Sequence, residues 1–181
     1  MSSDVFIISS ARDPGPAAAI RQAIDLAGLS PARIQDVVFG LHGASADLGS
    51  ITNAAGLTCP FVGVSSDLRA LSFSAASVLS DDANLAVVIG LAPDDCAAIL
   101  VASPETVGLL NLLPRARLAA RALAGPDAAL RLAGLASSDV QLCKDGDSLI
   151  LLHELLDDLE SQSARWGLIS SPDISLLLER L

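Results

Sequence analysis

Tyrosine is absent from this 181-residue chain, and aromatic residues make up only 3% of it. Its apolar half is mostly leucine, alanine and valine, small side chains that let helices and strands approach closely. Cysteine is scarce: Cys59, Cys96 and Cys143 stand at unpatterned spacing, which gives neither a disulfide framework nor a metal set. The two histidines, His42 and His153, are too far apart to form an i,i+4 metal pair. Cations are few, and the net charge of −10 argues against nucleic acid or an anionic membrane as partner. No apolar run long enough to span a bilayer escapes interruption; the longest candidate breaks at Ala92-Pro93-Asp94-Asp95. Met1-Ser2-Ser3-Asp4 has no basic segment, so no signal peptide is expected. A reducing cytoplasm is the expected compartment. Charged residues at 18% against 51% hydrophobic exclude disorder as a global description. Much apolar surface in so small a chain also points to burial against another polypeptide.

What is present is a duplication. Ala23-Ile24-Asp25-Leu26-Ala27-Gly28-Leu29 is matched by Ala129-Leu130-Arg131-Leu132-Ala133-Gly134-Leu135, each pair 106 positions apart. The same offset carries Ile34-Gln35 onto Val140-Gln141. A helix that runs into Ala-Gly-Leu, a short connector and a β-branched residue is therefore used twice, and a duplicated unit defines an architecture.

Strands are expected at 4–10, 36–40, 60–64, 85–89, 96–102 and 115–123. Helices are expected at 17–27, 48–55, 68–79, 104–110, 127–133 and 149–159. Ser66 or Asp67 is placed to cap the third helix and Ser103 the fourth, and 145–148 reads as the start signal of the last. Residues 161–181 read as a polar link followed by a short helix after Pro172. Strands alternating with helices in two copies give an α/β layered fold, a mixed β-sheet flanked by helices. The halves are expected to divide as 1–110 and 111–181.

Val5-Phe6-Ile7-Ile8-Ser9-Ser10-Ala11-Arg12, Ala27-Gly28-Leu29-Ser30-Pro31 and Ile34-Gln35-Asp36-Val37-Val38-Phe39-Gly40 resemble the opening segments of the thiolases. Asp95-Cys96-Ala97-Ala98-Ile99-Leu100-Val101-Ala102-Ser103 is similar to the run that closes the family's N-terminal half. Pro114-Arg115-Ala116-Arg117-Leu118, Ala133-Gly134-Leu135 and Leu152-His153-Glu154 look like the opening of its C-terminal half. The resemblance covers residues 4 to about 160 and implies the thiolase-like layered fold.

Its departures bear on function. Thiolases attack the acyl thioester with a cysteine in a Cys-x-Ser-Gly-Leu context at a helix N-terminus, where the dipole favours the thiolate. Aligning that helix puts Val64 at the nucleophile's place, with Ser65, Ser66 and Asp67 after it. Valine has no nucleophilic atom, an acid at the helix start opposes a thiolate, and Cys59 lies five residues too early. A register slip of one would put Ser65 there, though serine needs a base and is more commonly a plain cap or turn residue. The family's coenzyme A loop domain is replaced by a few residues around Pro93, and its second cysteine motif and Gly-His-Pro loop have no counterpart. His153 stands where the resemblance puts a group that helps bind the catalytic water or oxyanion; a core histidine satisfied by a neighbour is the commoner role. His42, in a glycine loop, reads as a solvent-facing residue. The acidic pairs Asp81-Asp82, Asp94-Asp95 and Asp157-Asp158 lack calcium-loop spacing, so no metal is expected.

The resemblance thus implies a non-catalytic thiolase-like protein with no cofactor of its own, acting as an assembly or regulatory subunit. Its partner would be a second copy or a full-length thiolase-like enzyme, with acyl-CoA bound only through that partner. The alternative is an acyltransferase subunit contributing Ser65 or His153 to a shared active site. In the family the strand matching 61–64 pairs with its copy across a two-fold axis. Phe61, Val62, Gly63, Val64, Ala70 and Ser74 are the expected interface.

Overall fold

The computed structural model describes residues 4–41, 46–80 and 83–181. The expected roles of His42 and of the Asp81-Asp82 pair lie outside them. Among the described residues nine strands form one mixed sheet: β1 (Val5–Asp13), β2 (Asp36–Gly40), β3 (Phe61–Val64), β4 (Leu85–Leu91), β5 (Cys96–Ala102), β6 (Ala116–Ala122), β7 (Leu142–Asp145), β8 (Trp166–Ser170) and β9 (Ser175–Arg180). They run in the order β3-β2-β4-β5-β1-β6-β9-β8-β7. The helices are α1 (Pro16–Leu26), α2 (Leu48–Ala54), α3 (Asp67–Leu79), α4 (Pro104–Leu109), α5 (Pro126–Ala133) and α6 (Leu149–Ser161).

The duplication is visible in three dimensions. β2-β4-β5-β1 is mirrored by β7-β8-β9-β6, and the halves meet where β1 pairs antiparallel with β6. β2 and β4 are parallel, as are β7 and β8. Both joining strands bulge at matching places, between Ile7 and Ser9 in β1 and between Leu118 and Ala120 in β6. The repeated glycines Gly28 and Gly134 follow α1 and α5 with φ of +71° and +69°, the left-handed turn that explains why each copy ends its helix on Gly. The offset of 106 between Leu26 and Leu132 falls to 82 between Asp67 and Leu149, the first residues of α3 and α6. The second copy is thus 24 residues shorter at this point, and it has no counterpart of α2 and β3. β3 therefore edges one end of the sheet, and β7 the other.

Three apolar cores order the layers. One packs α1 and α2 on the outer face of the N-terminal half-sheet, and one packs α5 on the outer face of the other half. The largest lies between the two half-sheets and holds both α3 and α6. Leu149, Leu152, Leu155, Leu156 and Leu159 put one face of α6 into it. Burial stabilises by roughly 2 kcal/mol for each such leucine, which anchors α6 against strands of both half-sheets.

One expectation for the C-terminal region is corrected. The polar link and helix after Pro172 are instead the hairpin β8–β9. Leu176, Leu177 and Leu178 are fully buried between β6 and β8, and an unbroken leucine run covered on both faces is a central strand, too short for a stable helix. Leu142–Asp145, where no element is expected from the sequence, forms the edge strand β7. β1 also runs on to Asp13, because β5 pairs with it as far as Cys96.

Candidate functional site

The ends of β2, β3 and β4 converge on the N-termini of α3 and α6. Each helix starts on a serine cap: Ser66 Oγ accepts from Arg69 N at 3.3 Å, and Ser148 Oγ from Ile150 N at 3.1 Å. Each tip is also closed by an aspartate from the other segment. Asp67, the first residue of α3, accepts through Oδ2 from Leu149 N at 2.9 Å. Asp147, just ahead of α6, accepts through Oδ1 from Leu68 N at 2.8 Å. Two positive helix ends that would repel each other are held together by this reciprocal exchange of carboxylates.

Asp67 is 3% exposed and lies in a cradle made by two glycines. A Cβ on Gly40 would come 2.9 Å from Asp67 Cα, and one on Gly90 would come 3.0 Å from its Cγ and 3.2 Å from Leu149 Cβ. Both strands must lack side chains here because the carboxylate occupies the space. A position that could favour a thiolate thus already holds an anion with hydrogen bonds of its own.

Val64 ends β3 just before this tip and packs on the central core, with no atom able to attack. Ser65 is exposed and makes no hydrogen bond among the described residues. Cys59 and Cys96 are both pushed up by burial, away from the thiolate. The β4–β5 connection is a tight turn in which Ala92 N donates to Asp95 O at 3.2 Å. Among the described residues no group of three His, Cys, Asp or Glu side chains is placed to hold a metal ion, and no helix is long and apolar enough to cross a membrane.

His153 lies mid-helix on α6 rather than at its tip. Its Nδ1 is 2.8 Å from Ser10 Oγ, and its Nε2 is 3.5 Å from Asp157 Oδ2. Arg115 Nη1 donates to the same Ser10 Oγ at 2.7 Å, while its Nε and Nη2 reach Glu160 and Asp157 at 2.7 and 2.9 Å. Ser10 Oγ, with one proton and two lone pairs, meets both Arg115 Nη1 and His153 Nδ1, and the direction of the second bond follows the imidazole tautomer. This has the connectivity of a Ser-His-Asp set, but Ser10 is only 3% exposed and its oxygen is held on two sides. The arrangement ties β1 to α6.

Burial pushes the His153 pKa below its ordinary value of 6.5, with the nearby Arg115 and Arg12 acting the same way against Asp157 and Glu154. A histidine kept neutral in the fold binds fewer protons folded than unfolded. Its stabilising effect is full above about pH 6.5 and is lost as pH falls toward the lower folded value. The wild type is expected to lose more thermal stability than His153→Gln between pH 7 and 5. Parallel melting curves check this; equal losses in the two proteins would refute it.

The expected interface residues divide. Phe61 and Val62 are 45% and 37% exposed on the edge strand. Phe61 also stacks edge-on with Phe39 at 6.2 Å. Gly63 makes room within its own chain, since a Cβ there would come 2.7 Å from Leu41 Cδ1. Ala70 and Ser74 are corrected: both are fully buried, because that stripe of α3 faces the central core. The open stripe of α3 is Arg69, Phe73 and Ala76, four and three residues apart, with Phe73 50% exposed. Small residues at helical spacing were read as an outer face, and Phe73, an aromatic on the opposite stripe, was the signal missed.

No protein-family model and no curated protein sequence matches the chain. Solved structures do. Human mitochondrial 3-ketoacyl-CoA thiolase superposes with a TM-score of 0.84 at 10% identity, covering 98% of this chain and 98% of that one. Its complex with CoA matches with the same figures. Acetyl-CoA acetyltransferase from Syntrophomonas wolfei gives 0.84 at 12% identity, covering 98% of this chain and 99% of that one. The chain has the thiolase fold.

Proposed function

We propose that this chain is a non-catalytic thiolase-fold protein acting by association, as an assembly or regulatory subunit of a thiolase-type acyl-CoA enzyme in the cytoplasm. The observation that carries this reading is the seat of Asp67. At the helix tip a buried carboxylate caps α6, next to Val64, where a thiolase-like enzyme needs a sulfur anion. The free edge β3, with Phe61, Val62 and, on α3, Phe73 exposed, supports association. The partner is a second copy or a full-length thiolase-like protein, and acyl-CoA reaches the assembly through that partner. A shared active site built on Ser65 or His153 has less support. Ser65 has no base beside it, and both nitrogens of His153 are engaged.

Sedimentation velocity of the chain alone, and mixed with a full-length thiolase, tests association directly. A monomer at tens of micromolar that forms no mixed species would defeat the proposal. The chemical half has its own test. A thiol introduced by Val64→Cys is expected to react with iodoacetamide at pH 7 no faster than an ordinary cysteine of pKa about 8.5. Adding Asp67→Gly is expected to raise its rate about tenfold, equivalent to about 1.4 kcal/mol, as the opposing anion leaves the dipole. Site-resolved mass spectrometry separates this thiol from the exposed Cys143. A V64C thiol that is already fast would mean that the tip still activates a nucleophile.

A further inference from the structure

β1 and β6 pair through only three residues each, Val5 with Leu118, Phe6 with Arg117 and Ile7 with Ala116, and β6 runs on past Leu118 to Ala122 beyond the first residue of β1. A cavity of 230 Å³ lies there beside β6, lined by Val5, Leu79, Leu118 and Leu132 and bordered by Arg121. Arg121 donates through Nη1 to Ser72 O at 2.7 Å and to Ser72 Oγ at 3.2 Å. Its Nε and Nη2 meet no acceptor among the described residues.

That vacant edge is the one Arg115, Arg117 and Arg165 use for acids. Arg115 places Nε on Glu160 and Nη2 on Asp157, and Arg117 and Arg165 each direct both groups to Glu179. With the offset of 82 between α3 and α6, Asp157 and Glu160 correspond to Ala75 and Val78. α3 therefore offers no carboxylate at the positions from which α6 supplies two. Burial accordingly pushes the Arg121 guanidinium down, with no opposing charge recorded.

A partly desolvated guanidinium with a free two-donor edge is a fork for a planar carboxylate, and buried Leu118, half-buried Leu79 and the open side chain of Leu132 offer apolar surface to whatever follows it. We infer that this slot binds a small apolar monocarboxylate, its oxygens on Arg121 Nε and Nη2 and its hydrocarbon chain against Leu79, Leu118 and Leu132. The cavity lies below the usual range of roughly 300–1,000 Å³ for drug-sized ligands. At ~30 Å³ per water-sized group it takes about eight heavy atoms, the size of hexanoate.

Titration calorimetry with hexanoate, hexan-1-ol and formate on the full chain tests the inference. Hexanoate is expected to bind saturably in the millimolar range or tighter, with hexan-1-ol and formate each at least about tenfold weaker. Arg121→Gln is expected to weaken hexanoate by at least about tenfold. Leu132→Trp, which fills the slot and leaves the guanidinium in place, is expected to do the same and serves as the second reading if the glutamine variant folds poorly. No saturable binding by the wild type up to about 10 mM would overturn the assignment. So would wild-type affinity in both variants, or equal binding of the alcohol.

Discussion

Replacing Gly90 with alanine is expected to lower the melting temperature by about 10 °C, a large effect for a single methyl group. The new Cβ would stand 3.0 Å from Asp67 Cγ and 3.2 Å from Leu149 Cβ, so it meets both helix tips at once. To admit it, Asp67 must swing away from Leu149 N, leaving a buried donor without a partner and a buried carboxylate without its hydrogen bond. Overpacking costs roughly 1–3 kcal/mol and an unmet buried polar group a further ~1–3. A sum of about 3–4 kcal/mol is a large share of the ~5–15 available to a domain. At ~2–4 °C per kcal/mol for this size, the shift is on the order of 10 °C. The variant Asp67→Gly removes the group that the methyl strikes, so the double mutant should melt above the sum of the two single effects. Strict additivity would place the carboxylate elsewhere. Gly40→Ala offers the same test from the neighbouring strand, against Asp67 Cα at 2.9 Å.

Little of that arrangement could be read from the chain. The repeat was legible because Gly28 and Gly134 serve a backbone need, a positive φ after a helix, that few other residues meet. Helix starts were legible because Ser66, Ser103 and Ser148 act within their own turns. Asp67 was read as a local cap opposing a thiolate; its actual partner lies 82 residues away, and no local rule encodes that distance. β9 was lost for a related reason. Three consecutive leucines fit a buried helix or a doubly covered strand equally well, and only pairing with β6 and β8 decides. β7 alternates over just four residues, with half-buried Leu142 and Lys144 against exposed Cys143 and Asp145, too short a pattern to stand out. Arg121 is a comparable case: it becomes unusual only when the acids facing its neighbours are seen to be missing opposite it.

Substituting lysine at both Val62 and Phe73 is expected to weaken self-association by more than about a hundredfold while leaving the fold intact. The two side chains are 37% and 50% exposed. Val62 pairs in register with Val38, whose side chain enters the central core, so it projects to the α3 side, as Phe73 does. Val37 N takes Pro60 O and Leu41 N takes Val64 O, so the alternate main-chain groups of Phe61 and Gly63 point outward, ready for another strand. An apolar anchor at the centre of an interface is worth roughly 2 kcal/mol or more, and each 1.4 kcal/mol is tenfold, so two anchors give at least that hundredfold. Lysine is the stringent choice for a chain of net charge −10. It reduces the long-range repulsion between copies, so the loss of association reports the contact itself, where ammonium groups replace apolar anchors and must be desolvated. The same repulsion predicts that wild-type association strengthens as salt shortens the Debye length from ~30 Å at 0.01 M to ~10 Å at 0.1 M. Sedimentation velocity across a concentration series reads both effects, with melting curves showing that the variant is folded. A V62K/F73K protein that dimerises as the wild type does would move the contact surface away from β3, and the argument for association would lose its geometric basis.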